Sequence, residues 1–299
     1  MSGRPADVGL LPQWGVNFSP RHAAHEGLDA PAAFQTLLTA GFRGFRLSCF
    51  WDEVAGGRSE LDLYLDAAAA AGARVLLTVG MKGMRWPEFY VPDGRDEEAV
   101  LEFVAESVRR HRAHPAVAAW QVENEPRNRS GPEKALVELG LLRAELAIVR
   151  ELDSRPVVLN CFRHFTLRSE WASRPSRWRS AQSQLLPLLL PGDVLGLDVY
   201  TDMPGSRARR TWPWEAAWLR RRVERAGCRA WVIEAQAEPW GEAGHDPGRL
   251  PVLARRLAQL RFQTVVLWGA EHWLLRKEEG DDRWWQAAVS LLNGPARTG

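Results

Sequence analysis

The sequence contains few lysines and has almost no net charge. Only Lys82, Lys134 and Lys277 are lysines, so arginine supplies nearly all of the positive charge. The 39 basic and 37 acidic side chains give a formal net charge of +2. A balance of this kind produces no strong field that would attract nucleic acid or an anionic membrane surface. We therefore expect no nucleic-acid partner and no membrane partner.

Cysteine is also scarce, and long apolar runs are missing. Cys49, Cys161 and Cys228 are too widely spaced to suggest a zinc site, and we expect them to be reduced, buried side chains. No apolar run approaches the ~20 residues that a membrane-spanning helix requires. Residues 1–13 lack the apolar core of a signal peptide. These absences predict a cytoplasmic protein, unless a leader has been removed.

Motifs for phosphate binding and for serine nucleophiles are absent as well. We find no GxGxxG, no Walker motif and no GxSxG. Two histidine pairs, His22 with His25 and His111 with His114, have a spacing that could hold a metal. The second pair lies at a predicted helix end before a strand, which is the wrong end of a barrel for catalysis. We expect no metal and no organic cofactor.

Strand and helix signals alternate from one end of the chain to the other, which indicates βαβ units and a parallel sheet. Apolar runs such as 74–79 are typical of strands that are covered on both faces. Eight strand–helix pairs without a linker predict an α/β fold, a single (β/α)8 TIM barrel over residues 1–299, with an open doubly wound sheet as the alternative. The predicted strands are 13–18, 44–50, 74–79, 116–125, 156–160, 194–200, 229–234 and 264–269.

Two of these strands run into a glutamate. The fourth ends in Asn124, Glu125 and Pro126, and the seventh ends in Glu234. The two glutamates are 234 − 125 = 109 residues apart, so they can meet only if both strands belong to one sheet whose ends converge. In a barrel both would lie at the carboxyl-terminal face, where active sites occur. Two convergent carboxylates suit acid–base and nucleophilic chemistry at a glycosidic bond.

Each segment taken alone also fits a strand that stops where polar residues meet water. Only the pair favours a catalytic site. Glu238, four residues beyond Glu234, is a rival for the same role. We favour Glu234 because a strand holds a side chain more rigidly than a loop does.

The sequence around both glutamates resembles the catalytic motifs of clan A glycoside hydrolases. Asn124-Glu125-Pro126 is similar to the acid/base motif at the end of strand four, and Val232-Ile233-Glu234 to the nucleophile motif at the end of strand seven. The clan consists of retaining enzymes on a (β/α)8 barrel and includes cellulases, mannanases, β-glucosidases and β-galactosidases. The resemblance extends over the whole barrel order. Strand three ends without the histidine pair of the cellulase-type enzymes, so the chain resembles a divergent branch.

The resemblance implies roles for several residues. Glu234 would attack the anomeric carbon, while Glu125 would protonate the leaving oxygen and later activate water. Arg46 on strand two matches an arginine that braces the nucleophile, and Tyr200 on strand six matches a tyrosine that hydrogen-bonds it. An arginine paired with another barrel acid and an ordinary core tyrosine are the alternatives.

Other residues are expected to bind the sugar. Asn124 would bond the 2-hydroxyl, and Trp268 matches the tryptophan that forms the floor of the sugar subsite. Further candidates for the pocket lie in or near the loops that follow the strands, where ordinary packing explains each of them about as well. These are Trp51, Trp86, Asn160, Asp198, Trp240, Glu271, His272 and Trp273.

The sequence thus predicts a retaining O-glycosyl hydrolase that cleaves a β-glycosidic bond of a small oligosaccharide or glycoside by double displacement. Its expected partner is a carbohydrate substrate, and no oligomeric state is predicted. A carbohydrate-binding barrel without catalysis and a transglycosylase on the same site are the alternatives.

Overall fold

Eight parallel strands close into a barrel. A computed structural model describes residues 10–51, 53, 60–80, 97–128, 136–162, 181–200, 213–239 and 246–293. Neighbouring strands pair in chain order, and the last strand pairs with the first, so the predicted (β/α)8 TIM barrel is confirmed. The strands are β1 (Trp14–Asn17), β2 (Gly44–Ser48), β3 (Arg74–Val79), β4 (Val117–Val122), β5 (Val157–Phe162), β6 (Val194–Val199), β7 (Arg229–Gln236) and β8 (Val265–Trp268).

Helices alternate with the strands and pack against the outside of the barrel. Because each strand is covered by a helix outside and by its neighbours inside, the strands are apolar along nearly their whole length. None of the described helices is long and apolar enough to cross a membrane. The described helices are α1 (Pro20–His25), α2 (Ala30–Ala40), α3 (Leu61–Ala70), α4 (Glu97–His111), α5 (Leu139–Leu152), α6 (Ala181–Leu185), α7 (Pro213–Arg225), α8 (Arg249–Gln259), α9 (Ala270–Glu278) and α10 (Arg283–Val289), with a 3-10 turn at Leu186–Leu188.

The helix α4 shows how the sequence pattern produces this layer. Its predicted apolar stripe, Val100, Phe103, Val104 and Val108, is buried in the structure. Acidic residues occupy its first turn and basic residues its last turn, which complements the helix dipole. The apolar spacing of 3.6 residues therefore decides which face packs on the barrel.

Apolar side chains fill one end of the barrel interior. A cluster that includes Leu76, Val158, Trp231 and Ile233 is separate from the larger core that the helices share with the strands. Gly196 makes room for it, since a Cβ there would lie 2.9 Å from Ile233 Cδ1. Apolar side chains thus fill this end of the interior, and the buried polar side chains of the interior lie towards the carboxyl-terminal end of the barrel.

The structure differs from the predicted elements after β1, where the sequence did not predict α1, and also after β8 and after β4. After β8 the sequence predicted one helix, at 282–292, whereas the structure has both α9 and α10. Gly269, with φ +136°, lets the chain leave β8 and enter α9 at once. After β4 the described helix begins at Leu139, and residues 136–138 are not helical, although the predicted helix began near residue 131.

A buried acid on α5, Glu145, makes the stability of the fold depend on pH. Glu145 is fully buried, and its carboxyl group faces the carboxyl group of Glu123. Burial, together with the Glu123 carboxylate beyond β4, raises the pKa of Glu145 well above its ordinary value of 4.5. The folded state therefore prefers the neutral acid. Its contribution to stability is complete below about pH 4.5 and is lost as the pH rises towards the folded-state pKa.

We expect Glu145→Gln to raise the free energy of unfolding at pH 7, since the amide removes the negative charge that burial and Glu123 disfavour. The gain should vanish near pH 4, where the wild-type acid is protonated in both states. Urea denaturation at the two pH values measures both differences. Glu151→Gln, at an exposed position of the same helix, is the control and should change neither value. An equal gain for Glu145→Gln at both pH values would contradict the expectation.

Candidate active site

Glu234 lies near the end of β7 with both carboxylate oxygens held by buried donors. Arg46 Nη1 donates to Glu234 Oε1 at 2.6 Å, and the Tyr200 hydroxyl donates to Glu234 Oε2 at 2.7 Å. All three side chains are buried. The structure thus brings together three residues that the sequence analysis selected from β2, β6 and β7. The two contacts fix the orientation of the carboxylate and balance its charge.

Arg46 is itself fixed by three side-chain amides. Its Nε donates to Gln121 Oε1 at 2.7 Å, and its Nη1 and Nη2 donate to Asn17 Oδ1 and Asn124 Oδ1, each at 2.8 Å. A guanidinium is a rigid planar fork, so partners on several sides leave it one position. Asn17 in turn donates to the backbone of Ile233, at 2.8 Å, one residue before Glu234. The network therefore ties β1, β2, β4 and β7 together around one carboxylate.

Glu125 occupies an unusual backbone conformation just beyond β4. The strand ends at Val122, and Glu123 and Glu125 then have φ of +61° and +48°. Non-glycine residues rarely adopt the left-handed region, and they do so mostly where the surroundings enforce it. The Glu125 N–H donates to Asn160 Oδ1 at 2.7 Å, and the Glu125 carbonyl accepts from Asn128 N at 3.0 Å. These two hydrogen bonds support the turn that carries Glu125.

Three carboxyl groups meet at this end of the barrel. One carboxylate oxygen from each of Glu125, Asp198 and Glu234 lies within 4.8 Å of the others. The pairing of β6 with β7 sets Asp198 directly beside Glu234. Burial, and then the Glu234 and Glu125 carboxylates, raise the pKa of Asp198 well above its usual value. Burial and the same neighbouring acids raise the pKa of Tyr200, so its hydroxyl keeps the proton that it donates to Glu234.

A cavity of about 150 Å³ is lined by Arg46 and Asn124, which belong to the network around Glu234, although neither Glu125 nor Glu234 itself lines it. Its lining also includes Trp268 from β8 and Glu271 from α9. Aromatic faces and polar groups together are typical of sites for small polar ligands. The lining residues are Asn17, Phe18, Ser19, His22, Arg46, Ser48, Phe50, Thr78, Asn124, Trp268 and Glu271.

Glu271 is the titratable group of this cavity with the clearest perturbation. Its Oε1 accepts the Ser19 N–H at 2.6 Å, and the side chain is buried. Burial raises the pKa of Glu271 to about 7, although the Ser19 hydrogen bond acts in the opposite direction. The indole N–H of Trp268 donates to Glu238 Oε1 at 3.0 Å, which fixes the plane of the ring that lines the cavity.

The remaining selected residues lie in different surroundings. Asn160 is fully buried in the hydrogen-bond network rather than at the cavity wall. Trp51 packs against Phe103, with ring centroids 5.5 Å apart, and contacts the core outside the barrel. Trp273 is a fully buried core residue of α9 whose Nε1 donates to a backbone carbonyl. Trp86 and Trp240 lie outside the described residues.

Sequence reasoning did not select Asn17 or Gln121, although both hold Arg46. Each is a buried polar residue within an otherwise apolar strand, and a buried amide must find hydrogen-bond partners. A polar residue within an apolar strand was visible in the sequence at Asn17 and at Gln121. This pattern shows that the amide needs a hydrogen-bond partner but does not identify the partner, because the partners lie on strands distant in sequence.

The carboxylate cluster has the oxygen donors that a hard cation prefers. Arg46 already pairs with Glu234 at 2.6 Å, so a cation there would have to displace a guanidinium held by three amides. The histidine pairs also face carboxylates: His22 lies 3.4 Å from Glu26, and His111 lies 3.3 Å from Asp62. The cluster therefore fits a carboxylate–arginine site better than a metal site.

Comparison with solved structures identifies the fold's relatives. A glycosylated endo-β-1,4-xylanase of glycoside hydrolase family 10 from Gloeophyllum trabeum superposes with a TM-score of 0.56 at 15% identity, covering 86% of this chain and 83% of that one. A family 1 β-glucosidase from Thermotoga maritima superposes with a TM-score of 0.55 at 12% identity, covering 95% of this chain and 98% of that one. An endo-1,4-β-D-mannanase from Thermotoga petrophila superposes with a TM-score of 0.57 at 14% identity, covering 86% of this chain and 88% of that one.

The chain has the fold of the glycoside hydrolase barrels. The (β/α)8 fold that the two glutamate motifs implied is thereby confirmed, at identities of 12–15%. No family model matches the sequence, and a search of the curated proteins finds no match.

Proposed function

We propose that the protein is a retaining β-glycoside hydrolase, with Glu234 as the nucleophile and Glu125 as the acid/base. The observation that carries the proposal is the approach of these two carboxyl groups, with oxygens within 4.8 Å, at the mouth of a barrel. Retaining glycosidases hold their carboxyl groups about 5–5.5 Å apart, whereas inverting enzymes leave about 6.5–9.5 Å for a water. An upper limit of 4.8 Å between one oxygen of each group fits the shorter of these two spacings, and we therefore propose the retaining mechanism.

In the first step Glu234 Oε attacks the anomeric carbon and forms a covalent ester, while the bond to the leaving oxygen breaks. Glu125 gives its proton to that oxygen, so the leaving group departs as a neutral alcohol. Arg46 and Tyr200 hold the nucleophile in line for the attack. Asn124 lines the cavity, and its Oδ1 accepts from Arg46 Nη2, which turns its amide nitrogen away from the arginine and supports a role in binding the 2-hydroxyl.

In the second step water enters where the leaving group has departed. Glu125, now a carboxylate, removes a proton from this water, which attacks the anomeric carbon and breaks the ester to Glu234. Two inversions restore the β configuration. All protons and bonds balance with these two side chains and one water, so the mechanism uses no metal and no cofactor.

The cavity lined by Arg46 and Asn124 supports a small substrate. Its volume of about 150 Å³ suits one sugar ring, with Trp268 as an apolar floor and Glu271 as a partner for hydroxyl groups. We therefore propose a small oligosaccharide or glycoside as the substrate class.

The test is a panel of nitrophenyl β-glycosides of neutral hexoses and pentoses, with the matching α-glycosides as controls. We expect at least one β-glycoside to be cleaved, with the β-anomer as the first sugar product by early-time proton NMR. Cleavage with the α-anomer as first product would overturn the retaining mechanism. Calorimetric binding of a sugar without turnover of any glycoside would favour the carbohydrate-binding barrel, and products longer than the substrate would favour a transglycosylase.

A further inference from the structure

Asn160, on β5, uses all of its hydrogen-bonding capacity on the candidate active site. Its Oδ1 accepts the Glu125 N–H at 2.7 Å and Gln121 Nε2 at 3.1 Å. Its Nδ2 donates to Asn124 Oδ1 and to Asp198 Oδ2, each at 2.9 Å. An amide side chain offers two acceptor positions and two donor protons, so every one is occupied.

The partners also determine which way the amide faces. A backbone N–H can only donate, so the atom of Asn160 opposite Glu125 must be the oxygen. The nitrogen then faces Asn124 Oδ1, which already accepts from Arg46, and the carboxyl of Asp198. If the amide were flipped, its nitrogen would face the Glu125 N–H, which is also a donor. Its oxygen would face Asn124 Oδ1, which is also an acceptor. The side chain is fully buried, so water cannot compensate for a lost partner.

The bond to Glu125 is made where the backbone needs support. Glu125 has φ +48°, a conformation that costs a non-glycine residue free energy and persists only where surrounding contacts over-determine it. The Asn160 contact is a bond to the backbone of Glu125 itself. It therefore acts on the position of the acid/base side chain without touching a substrate in the cavity.

We infer that Asn160 is a positioning residue that fixes the Glu125 turn, and with it the proton donor, relative to Glu234. This inference rests on the proposed function, in which Glu125 protonates the leaving group. It assigns Asn160 to Glu125 rather than to direct contact with the sugar. By holding Asn124 and Asp198 from the same amide, Asn160 also links the acid/base turn to the Arg46 network around the nucleophile.

A positioning role makes a specific kinetic prediction. Poor leaving groups need a proton from Glu125, whereas a dinitrophenolate leaves without one. In Asn160→Ala we expect kcat/KM for an alkyl β-glycoside to fall about 10²-fold or more, within the range of general acid catalysis. The value for the dinitrophenyl glycoside of the same sugar should fall less than about 10-fold.

Thr264→Val is the matched control. Thr264 is a buried polar residue directly before β8, at the opposite end of the barrel, and its hydroxyl donates to Leu11 O at 3.2 Å. Removing it should lower stability without changing the leaving-group dependence. An Asn160 variant that melts like wild type but loses activity equally on all leaving groups, or loses none, would overturn the inference.

A second measurement does not depend on turnover. The Glu125 amide proton should exchange at least about 10-fold faster with solvent in Asn160→Ala than in wild type, because its acceptor is gone. Unchanged exchange would also overturn the inference. If wild type cleaves no glycoside but the exchange accelerates, the proposed function fails while the positioning of Glu125 stands.

Discussion

Replacing Glu234 with glycine should lower kcat/KM on the best aryl β-glycoside by about 10⁴- to 10⁶-fold, the range seen when a covalent nucleophile is removed. The variant can form no ester, and glycine leaves a gap at the anomeric carbon. It also leaves Arg46 and Tyr200 without the carboxylate that they hold at 2.6 and 2.7 Å. A small anion such as azide should therefore bind in the gap and attack the sugar directly.

The measurement is the rate with and without azide, together with the configuration of the product. We expect azide to restore part of the activity and to give the α-glycosyl azide, because only one inversion takes place. Glu238→Gln is the matched control, since Glu238 lies four residues on and can keep its contact to the Trp268 indole as an amide. That control should lose less than about 10-fold, the size of one hydrogen bond. A larger loss in Glu238→Gln than in Glu234→Gly would assign the nucleophile to Glu238.

Replacing Glu125 with glutamine should lower kcat on nitrophenyl β-glycosides by about 10²- to 10⁴-fold, the usual contribution of a general acid/base. The loss should depend on the leaving group. With a dinitrophenyl glycoside the first step still proceeds, but the second lacks a base, so the ester on Glu234 should accumulate. Its formation would appear as a burst of dinitrophenolate close to one equivalent per active site.

Intact-protein mass spectrometry of Glu125→Gln during turnover tests this directly. The expected result is an added mass of one sugar residue, located on the peptide that contains Glu234. The double variant Glu125→Gln, Glu234→Gln is the control and should show no added mass. Equal rate losses on good and poor leaving groups, without a trapped ester, would remove Glu125 from the acid/base role.

Much of the fold follows from short-range patterns. The run 74–79, which is apolar at Val75, Leu76, Leu77 and Val79, forms β3 with those bounds. The stripe on α4 repeats with the helical period and is buried as expected. The helix α9 was not predicted, because it begins directly after Gly269, in a stretch that the sequence interprets as a loop before a single helix. The local sequence pattern therefore predicts whether a segment is a helix or a strand more reliably than it predicts where that helix or strand begins and ends.

The candidate site could be predicted only in part. Glu125 and Glu234 are recognisable because each follows an apolar strand and sits in a known kind of motif. The left-handed turn at Glu125 has no such signal, since no glycine stands there and the conformation is supported by distant partners. Asn160 was selected as a residue facing sugar, but its four contacts lie within the protein. Sequence indicates that a buried amide needs partners and does not name them.

The sequence alone determined the eight-fold alternation of strand and helix, the barrel that follows from it, and the two strands that end in glutamates. These properties arise from apolar periodicity and from turn residues, which act within a few positions along the chain. Only the tertiary structure decided that Gln121 holds Arg46, that Asp198 stands beside Glu234, and that Asn160 supports Glu125. Those contacts join residues 35 to 75 positions apart, and they depend on the pairing register and closure of the barrel.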